Sequence, residues 1–406
     1  MDDGTDDRTI GVRLQAVRER TGKTRPVVAG LVGRSAEWLK AIERGRSKPP
    51  RLDMLVRLAE VLGVRDLAEI TGEASVPLGV GRRSGHPAVA DIREAIEGVQ
   101  LVVAESPVSA DELHRRAAHA WTVWHSSATP RAAAGGLLPA LIRDGRRAVR
   151  TVEGQDRRQA YIALASAYAL SEQVLAWVAD SALLWLAADR CMECAQQADD
   201  PDTLAMASWV LGNVWRSTGR EDDALRLAQD AAALLEPHLA DGSDESRALW
   251  GAVQLHAAIT AGRMGREGDA LRCLDQAATV STRLPSGWAH PVTLFGPANT
   301  TLTGISVQVD LSRAAQALDV ANAADVDAVP SLDRRTRLWL EVARGYAQRK
   351  DPIGTLHVMQ RAIGISEESM RCHPVARSLA GDLVVSGGRM VEREARALAS
   401  QLGVTV

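Results

Sequence analysis

Apolar residues recur at helical spacing along almost the whole 406-residue chain, and no strand-like alternation stands out. Residues 9–20 place Ile10, Leu14 and Val17 on one face, with Arg13, Arg18 and Arg20 elsewhere, and Gly22 ends that helix. Thr24 is positioned to cap the next helix, which tolerates Pro26 in its first turn because those N–H groups lack partners anyway. Val27, Val28 and Leu31 supply its apolar side. Gly33 offers the positive φ that a tight interhelical turn needs. Ser35 caps a third helix over 36–44, with Leu39 and Ile42 inward, and Gly45 stops it. A fourth helix over 51–62 turns Leu52, Leu55, Leu58, Ala59 and Leu62 inward, and a fifth covers 66–71.

Helix breakers then accumulate: Pro77, Gly79, Gly81, Gly85 and Pro87 surround Arg82 and Arg83. The chain therefore divides into 1–72, a linker at 73–90, and a helical region at 91–406. In that region one segment repeats. Arg220-Glu221-Asp222-Asp223-Ala224-Leu225-Arg226 returns as Arg266-Glu267-Gly268-Asp269-Ala270-Leu271-Arg272, each opening a helix after a Gly-containing turn. The preceding helices carry a bulky or small residue, an aliphatic–small pair and an aromatic. These are Tyr161, Leu164-Ala165 and Tyr168; Ser208, Leu211-Gly212 and Trp215; and Trp339, Val342-Ala343 and Tyr346. The second helices bring Ala224 and Ala231, Ala270 and Ala277, and Thr355 with Ala362; a weaker copy lies around Ala317 and Leu318. A further helical pair is expected before them, with Trp121 and Trp124 one turn apart. A hairpin of this kind cannot bury its apolar face alone, so stacking into a superhelix with a concave wall is expected.

Composition narrows the function classes. Ten Trp accompany three Tyr and one Phe, and abundant Ala and Arg with few Lys suggest a GC-rich, actinobacterial genome. The first residues include Asp2, Asp3, Asp6 and Asp7, an acidic tail and not a signal peptide; no apolar run is long enough to span a membrane. A cytoplasmic location is expected. Cys191 and Cys194 form a Cys-x-x-Cys without a second pair, so buried thiols are expected, with no metal and no cofactor. There is no Gly-rich phosphate loop, no His-Glu-x-x-His and no Gly-x-Ser-x-Gly, and His114, His119 and His125 do not share one helical face. An enzyme is not expected.

Charge is distributed unevenly. The chain is formally −3, yet residues 8–65 hold about nine more basic than acidic side chains, the footprint of a nucleic-acid face. That segment also contains Ile42-Glu43-Arg44-Gly45-Arg46 with Pro49, followed by Leu55, Leu58, Ala59, Leu62 and Gly63. Over residues 8–72 it resembles the Cro/C1-type (XRE) helix-turn-helix regulators. The resemblance implies an all-α protein with a five-helix, lambda-repressor-like DNA-binding domain. It also implies that the third helix enters the major groove. Ala36, Glu37, Trp38, Lys40 and Ala41 would then lie at base edges, Arg25 at backbone and base, and Ser35 among the DNA-binding residues. Arg44, Arg46, Lys48 and Arg51 would hold phosphates. Lys40 can reach guanine acceptors. Glu37 either accepts from a cytosine amino group or supports the helix start beside Ser35, and Trp38 either presses on a thymine methyl or packs against a neighbouring helix.

The repeats resemble degenerate tetratricopeptide hairpins, about five between 158 and 372, which makes the C-terminal region an α-solenoid. Its inner wall is expected to carry Gln159, Ser166, Trp209, Asn213, Arg216, Arg263, Asn299, Arg337 and Arg344. Of these, Trp209, Asn213, Arg216, Arg263, Asn299, Arg337 and Arg344 are the candidate ligand residues, offering amide, guanidinium and indole groups. Trp121, Trp124, Trp185 and Trp250 are expected in the core. With the Gly33-Arg34-Ser35…Trp38-Leu39 and Phe295-Gly296-Pro297…Asn299 segments, the combination is similar to peptide-pheromone receptor regulators and to an actinobacterial group of them. This implies a homodimer on double-stranded DNA with a roughly palindromic operator, answering to a signal peptide or small molecule. The alternative is a tetratricopeptide adaptor that recruits a protein partner.

Overall fold

The computed structural model describes residues 10–47, 49–64, 67–71, 85–99 and 108–404. Among these the regular structure is helical throughout, as the apolar periodicity requires. Five helices form the N-terminal domain: α1 (Ile10–Arg20), α2 (Arg25–Leu31), α3 (Ala36–Glu43), α4 (Leu52–Val61) and α5 (Ala68–Thr71). Their common core contains the fully buried Leu14, Val28, Leu39, Leu58 and Ile70. Gly22, Gly33, Gly45 and Gly63 all adopt positive φ at the ends of helical segments. A residue with a Cβ reaches that region only at a cost, and this is what punctuates the domain so regularly.

The region expected to hold one further helical pair contains four helices: α6 (Ala88–Glu97), α7 (Ala110–Ser126), α8 (Pro130–Gly135) and α9 (Leu138–Thr151). The first starts three residues inside the expected linker; residues 73–84 lie outside the described residues. Five hairpins follow. They pair α10 (Gly154–Leu175) with α11 (Ser181–Ala198), α12 (Pro201–Ser217) with α13 (Glu221–Leu235), and α14 (Asp244–Arg263) with α15 (Glu267–Ser281). They continue with α16 (Pro297–Asp310) and α17 (Ala314–Ala323), then α18 (Leu332–Gln348) and α19 (Pro352–Ile365). The chain closes with α20 (Glu367–Cys372), α21 (Pro374–Ser386) and α22 (Glu392–Gln401).

Cap residues start several of these helices. Asp180 accepts from Leu183 N at 2.9 Å, Asp200 from Thr203 N at 2.8 Å and Asp351 from Gly354 N at 2.8 Å. Each cap satisfies one N–H that the helix leaves without a partner.

The first helices of successive hairpins, α10, α12, α14, α16 and α18, pack on one another and form an inner layer. Small residues set how closely they approach. A Cβ on Gly212 of α12 would lie 2.6 Å from the His256 ring of α14. One on Gly251 of α14 would lie 2.0 Å from Phe295, which is fully buried. The lone phenylalanine therefore wedges the loop before α16 against α14, where only a glycine leaves room for it. Trp121, Trp124 and Trp250 are buried, and Trp185 is half-buried beside Trp215. Cys191, Cys194, Cys273 and Cys372 are buried, and none forms a disulfide.

Candidate nucleic-acid interface and central cavity

The turn between α2 and α3 follows directly from its residues. Gly33 takes φ +72°, and Ser35 Oγ accepts from Trp38 N at 3.2 Å at the start of α3. Thr24 occupies the cap position of α2 in extended conformation, but its side chain makes no capping bond. Pro26 stands second in that helix and has no N–H to give, which removes one of the two usual donors.

Successive residues of α3 turn through about 100°, so Glu37, Lys40, Ala41 and Arg44 fall on one side. Glu37 and Arg44 are exposed, and Lys40, Ala41 and Ala36 are half-buried. Lys40 Nζ lies 3.5 Å from Glu37 Oε1, an exposed pair that DNA could readily displace. Arg46 is also exposed, as is Arg51 at the start of α4; Lys48 lies outside the described residues.

Arg25 is placed differently from the expectation. Its Nε is 2.5 Å from Glu43 Oε2, and Arg18 Nε is 2.5 Å from the other oxygen of the same carboxylate, whose side chain is fully buried. Arg25 thus ties α2 to the end of α3 and has that carboxylate as its fixed partner. Periodicity put Arg18 away from the apolar face, yet Arg18 and Glu43 are both buried because they neutralise each other.

The N-terminal domain docks on the helical region through α2, its flanks and α4. Lys23 pairs with Glu221 at 3.0 Å and Arg34 with Asp382 at 2.5 Å, and Arg57 hydrogen-bonds Ser378. Ser312 donates to Pro26 O at 2.6 Å, and Arg344 Nη2 donates to Gly30 O at 3.0 Å. Arg344 is thereby removed from the expected ligand wall. It is buried, held by Asp310 at 2.8 Å and by Glu341 at 2.5 Å, and acts as an anchor for the N-terminal domain.

Between the two parts lies a cavity of about 1740 Å³. Trp209, Asn213, Arg216, Arg263, Asn299 and Arg337 all line it, brought together from α12, α14, α16 and α18. Gln159 and Ser166 do not; Ser166 accepts from Trp121 Nε1 at 3.0 Å. The opposite wall is the N-terminal domain itself, through Arg34, Trp38, Ile42, Arg51, Met54 and Arg57. Trp38 is half-buried, packs on the domain core and lies 5.7 Å from the Arg34 guanidinium, so α3 turns one side to solvent and an edge to the cavity.

Several lining residues carried no signal by spacing alone. Trp177 lies in the short connection after α10 with φ +67°, a strained conformation for a bulky residue. Arg337 sits over its ring at 4.4 Å, Arg131 at 5.5 Å and the His373 ring at 4.1 Å. Glu172, one turn before the end of α10, is buried and takes a hydrogen bond from Gln173 Nε2 at 2.5 Å. Burial pushes its carboxyl up to about 7 despite that bond and nearby Arg337 and Arg216. Burial also lowers the Arg216 guanidinium to about 9, with Arg263 adding to the effect, and lowers Arg334 to about 10, with Arg337 adding. Arg334 precedes Arg337 by one helical turn, the one sequence cue that could have placed it here.

Residues 9–71 match a helix-turn-helix domain family, over the segment where α1–α5 stand. The N-terminal domain is thus of the class that binds DNA, and a DNA-binding regulator is the coarse reading it supports. No curated protein matches the chain. Among the described residues no helix is long and apolar enough to cross a membrane.

Proposed function

We propose that this protein is a sequence-specific transcription regulator whose DNA affinity answers to a ligand in the cavity between its two parts. The observation that carries the proposal is the double duty of α3. The helix that presents Glu37, Lys40 and Arg44 outward also contributes Trp38 and Ile42 to the cavity wall. A ligand lying against Trp209, Asn213 and Arg216 would face Trp38 and Arg34 across the same space. Binding would then change the free energy of docking directly, provided the ligand prefers one docked geometry.

On DNA, Lys40 and Glu37 read base edges while Arg44, Arg46, Lys48 and Arg51 hold phosphates. Two subunits place their α3 helices about 34 Å apart on a roughly palindromic site, which requires a homodimer in the cytoplasm. The helical hairpins belong, in this reading, to a degenerate tetratricopeptide-like sensor, and the ligand is a small molecule or signal peptide. Selection of a preferred duplex followed by gel-shift titration tests the DNA face. Lys40→Ala is expected to weaken the selected site about tenfold relative to other duplexes. Arg46→Ala should weaken all duplexes and reduce the salt slope by about one unit. Binding of both variants indistinguishable from wild type would remove the assignment.

A further inference from the structure

The cavity is electrically lopsided. Eight arginines line it against four carboxylates. Some arginines are accounted for: Arg34 has Asp382, and Arg263 has Asp310 at 3.8 Å behind the wall. Three others converge with little compensation. Arg334 forms no hydrogen bond or ion pair through its guanidinium with any described residue. Arg337 meets Asp333 only at 3.5 Å, and its buried Nε has no hydrogen-bond partner. Arg216 is held by neutral groups alone, Asn213 Oδ1 at 2.8 Å, Thr260 Oγ1 at 3.4 Å and the His256 ring at 3.1 Å. Burial, together with Arg216 and Arg263, keeps that imidazole well below its usual range and so uncharged at neutral pH.

Glu172 is the one carboxylate near all three, and it does not neutralise them. Gln173 Nε2 donates to one of its oxygens at 2.5 Å, and among the described residues it forms no ion pair with any of the three guanidiniums. Positive charge is thus concentrated on one half-buried stretch of the cavity wall, where Arg337 sits over Trp177, a residue held in a strained conformation. Structures maintain such strain where it positions groups for a task.

We propose that Arg216, Arg334 and Arg337 form an anion subsite that receives an oxyanion of the regulatory ligand, a carboxylate or a phosphate. This rests on the reading of the protein as ligand-responsive. The planar guanidinium fork matches both groups bidentately, and the half-buried setting of the three arginines leaves them partly screened from bulk water, which strengthens the interaction. The same oxyanion chemistry can come from a free small anion or from the C-terminal carboxylate of a peptide; Trp209 and Asn299 on the same wall can serve the rest of either.

The test is calorimetry on the full chain at constant ionic strength, with chloride as the baseline. The probes are inorganic phosphate, succinate, and a random-sequence pentapeptide pool with free or amidated C termini. Wild type is expected to bind at least one oxyanion probe saturably. Arg334→Gln should weaken that binding 10- to 100-fold without lowering the melting temperature, since the Arg334 guanidinium holds nothing in the fold. Arg216→Gln should weaken it comparably, and Arg334→Lys should restore part of it. A response only to peptides with a free C terminus assigns the subsite to a peptide terminus; a response to phosphate or succinate assigns it to a small anion. Absence of saturable binding by every probe, or binding by both Gln variants equal to wild type, overturns the subsite. DNA affinity is measured in parallel with and without the bound probe. An anion that binds through these arginines yet leaves DNA affinity unchanged retains the subsite and refutes ligand control. Loss of the subsite leaves the DNA reading to its own assay.

Discussion

Gly30 offers the sharpest handle on the docking of the N-terminal domain. It lies in α2, and the three atoms nearest to a Cβ built there all belong to the helical region. They are Ser312 Oγ at 2.9 Å, Asp310 O at 3.3 Å and Gln348 Nε2 at 3.3 Å. Gly30→Val therefore crowds the interface, and valine is no worse than glycine within a helix. The Ser312 hydroxyl would have to swing away, losing its bond to Pro26 O, and Arg344 would lose Gly30 O as α2 lifts off. Asp310 O is main chain and cannot rotate aside. A hydroxyl–carbonyl bond contributes about 1 kcal/mol and a guanidinium–carbonyl bond about 2 kcal/mol, so docking should weaken by about 3 kcal/mol. That corresponds to about a hundredfold change in the docking equilibrium. Hydrogen exchange on the full chain reads it. Amides of α2 and of residues 308–314 should exchange faster, while α10 and α11 keep wild-type protection, and small-angle scattering should show a larger radius of gyration. Identical exchange at α2 in variant and wild type would refute the reasoning, because a close approach at Gly30 could not then be what the two parts share.

Three further outcomes follow from buried charge. Glu172 holds its proton up to about 7 against an ordinary 4.5, so its contribution to stability is complete below pH 4.5 and lost as the pH rises through 7. In urea titrations Glu172→Gln should gain on wild type by about 3 kcal/mol between pH 4.5 and pH 8; parallel curves would contradict the assignment. His125, with ring nitrogens 3.0 Å from Pro291 O and 3.2 Å from Ser331 Oγ, is lowered to about 4 by burial, with Arg334 adding. Its contribution is present above pH 6.5 and lost as the pH falls through 4, so His125→Gln should lose about 2 kcal/mol less than wild type between pH 7.5 and pH 5. Finally, Glu43→Ala leaves buried Arg18 with only the exposed Glu19 carboxylate at 3.2 Å and should cost the N-terminal domain about 3 kcal/mol, seen as early loss of exchange protection in α1–α3 with α10–α19 unaffected.

Much of this architecture is legible in the sequence because it is local. Apolar spacing at three and four residues gave the helices. Gly22, Gly33 and Gly45 gave their ends, Ser35 gave the start of α3, and the aliphatic–small pairs gave the hairpins. The same repeat pattern put nine residues on one inner wall, and six of them line the cavity, since equivalent positions of stacked helices share a face; Gln159 and Ser166 do not reach it. It misplaced Arg344, whose periodic position is right but whose charge is drawn behind the wall by Asp310 and Glu341. It set Arg18 apart from the apolar face of its helix, because a buried ion pair has the polarity pattern of an exposed one until its partner is known.

What the chain could not announce is what its two parts do together. Arg34 meets Asp382, Lys23 meets Glu221 and Arg344 meets Gly30 across roughly 200 to 350 residues of sequence, and no periodicity encodes such pairs. Local pattern determined that there would be a helix-turn-helix and a stack of hairpins, because each helix must bury an apolar face of its own. Tertiary structure decided that the edge of α3 closes the cavity, that Trp38 faces inward while Glu37 faces out, and that Arg216, Arg334 and Arg337 share a recess. Those outcomes depend on where polar groups from distant segments satisfy one another, and that is fixed only when the segments meet.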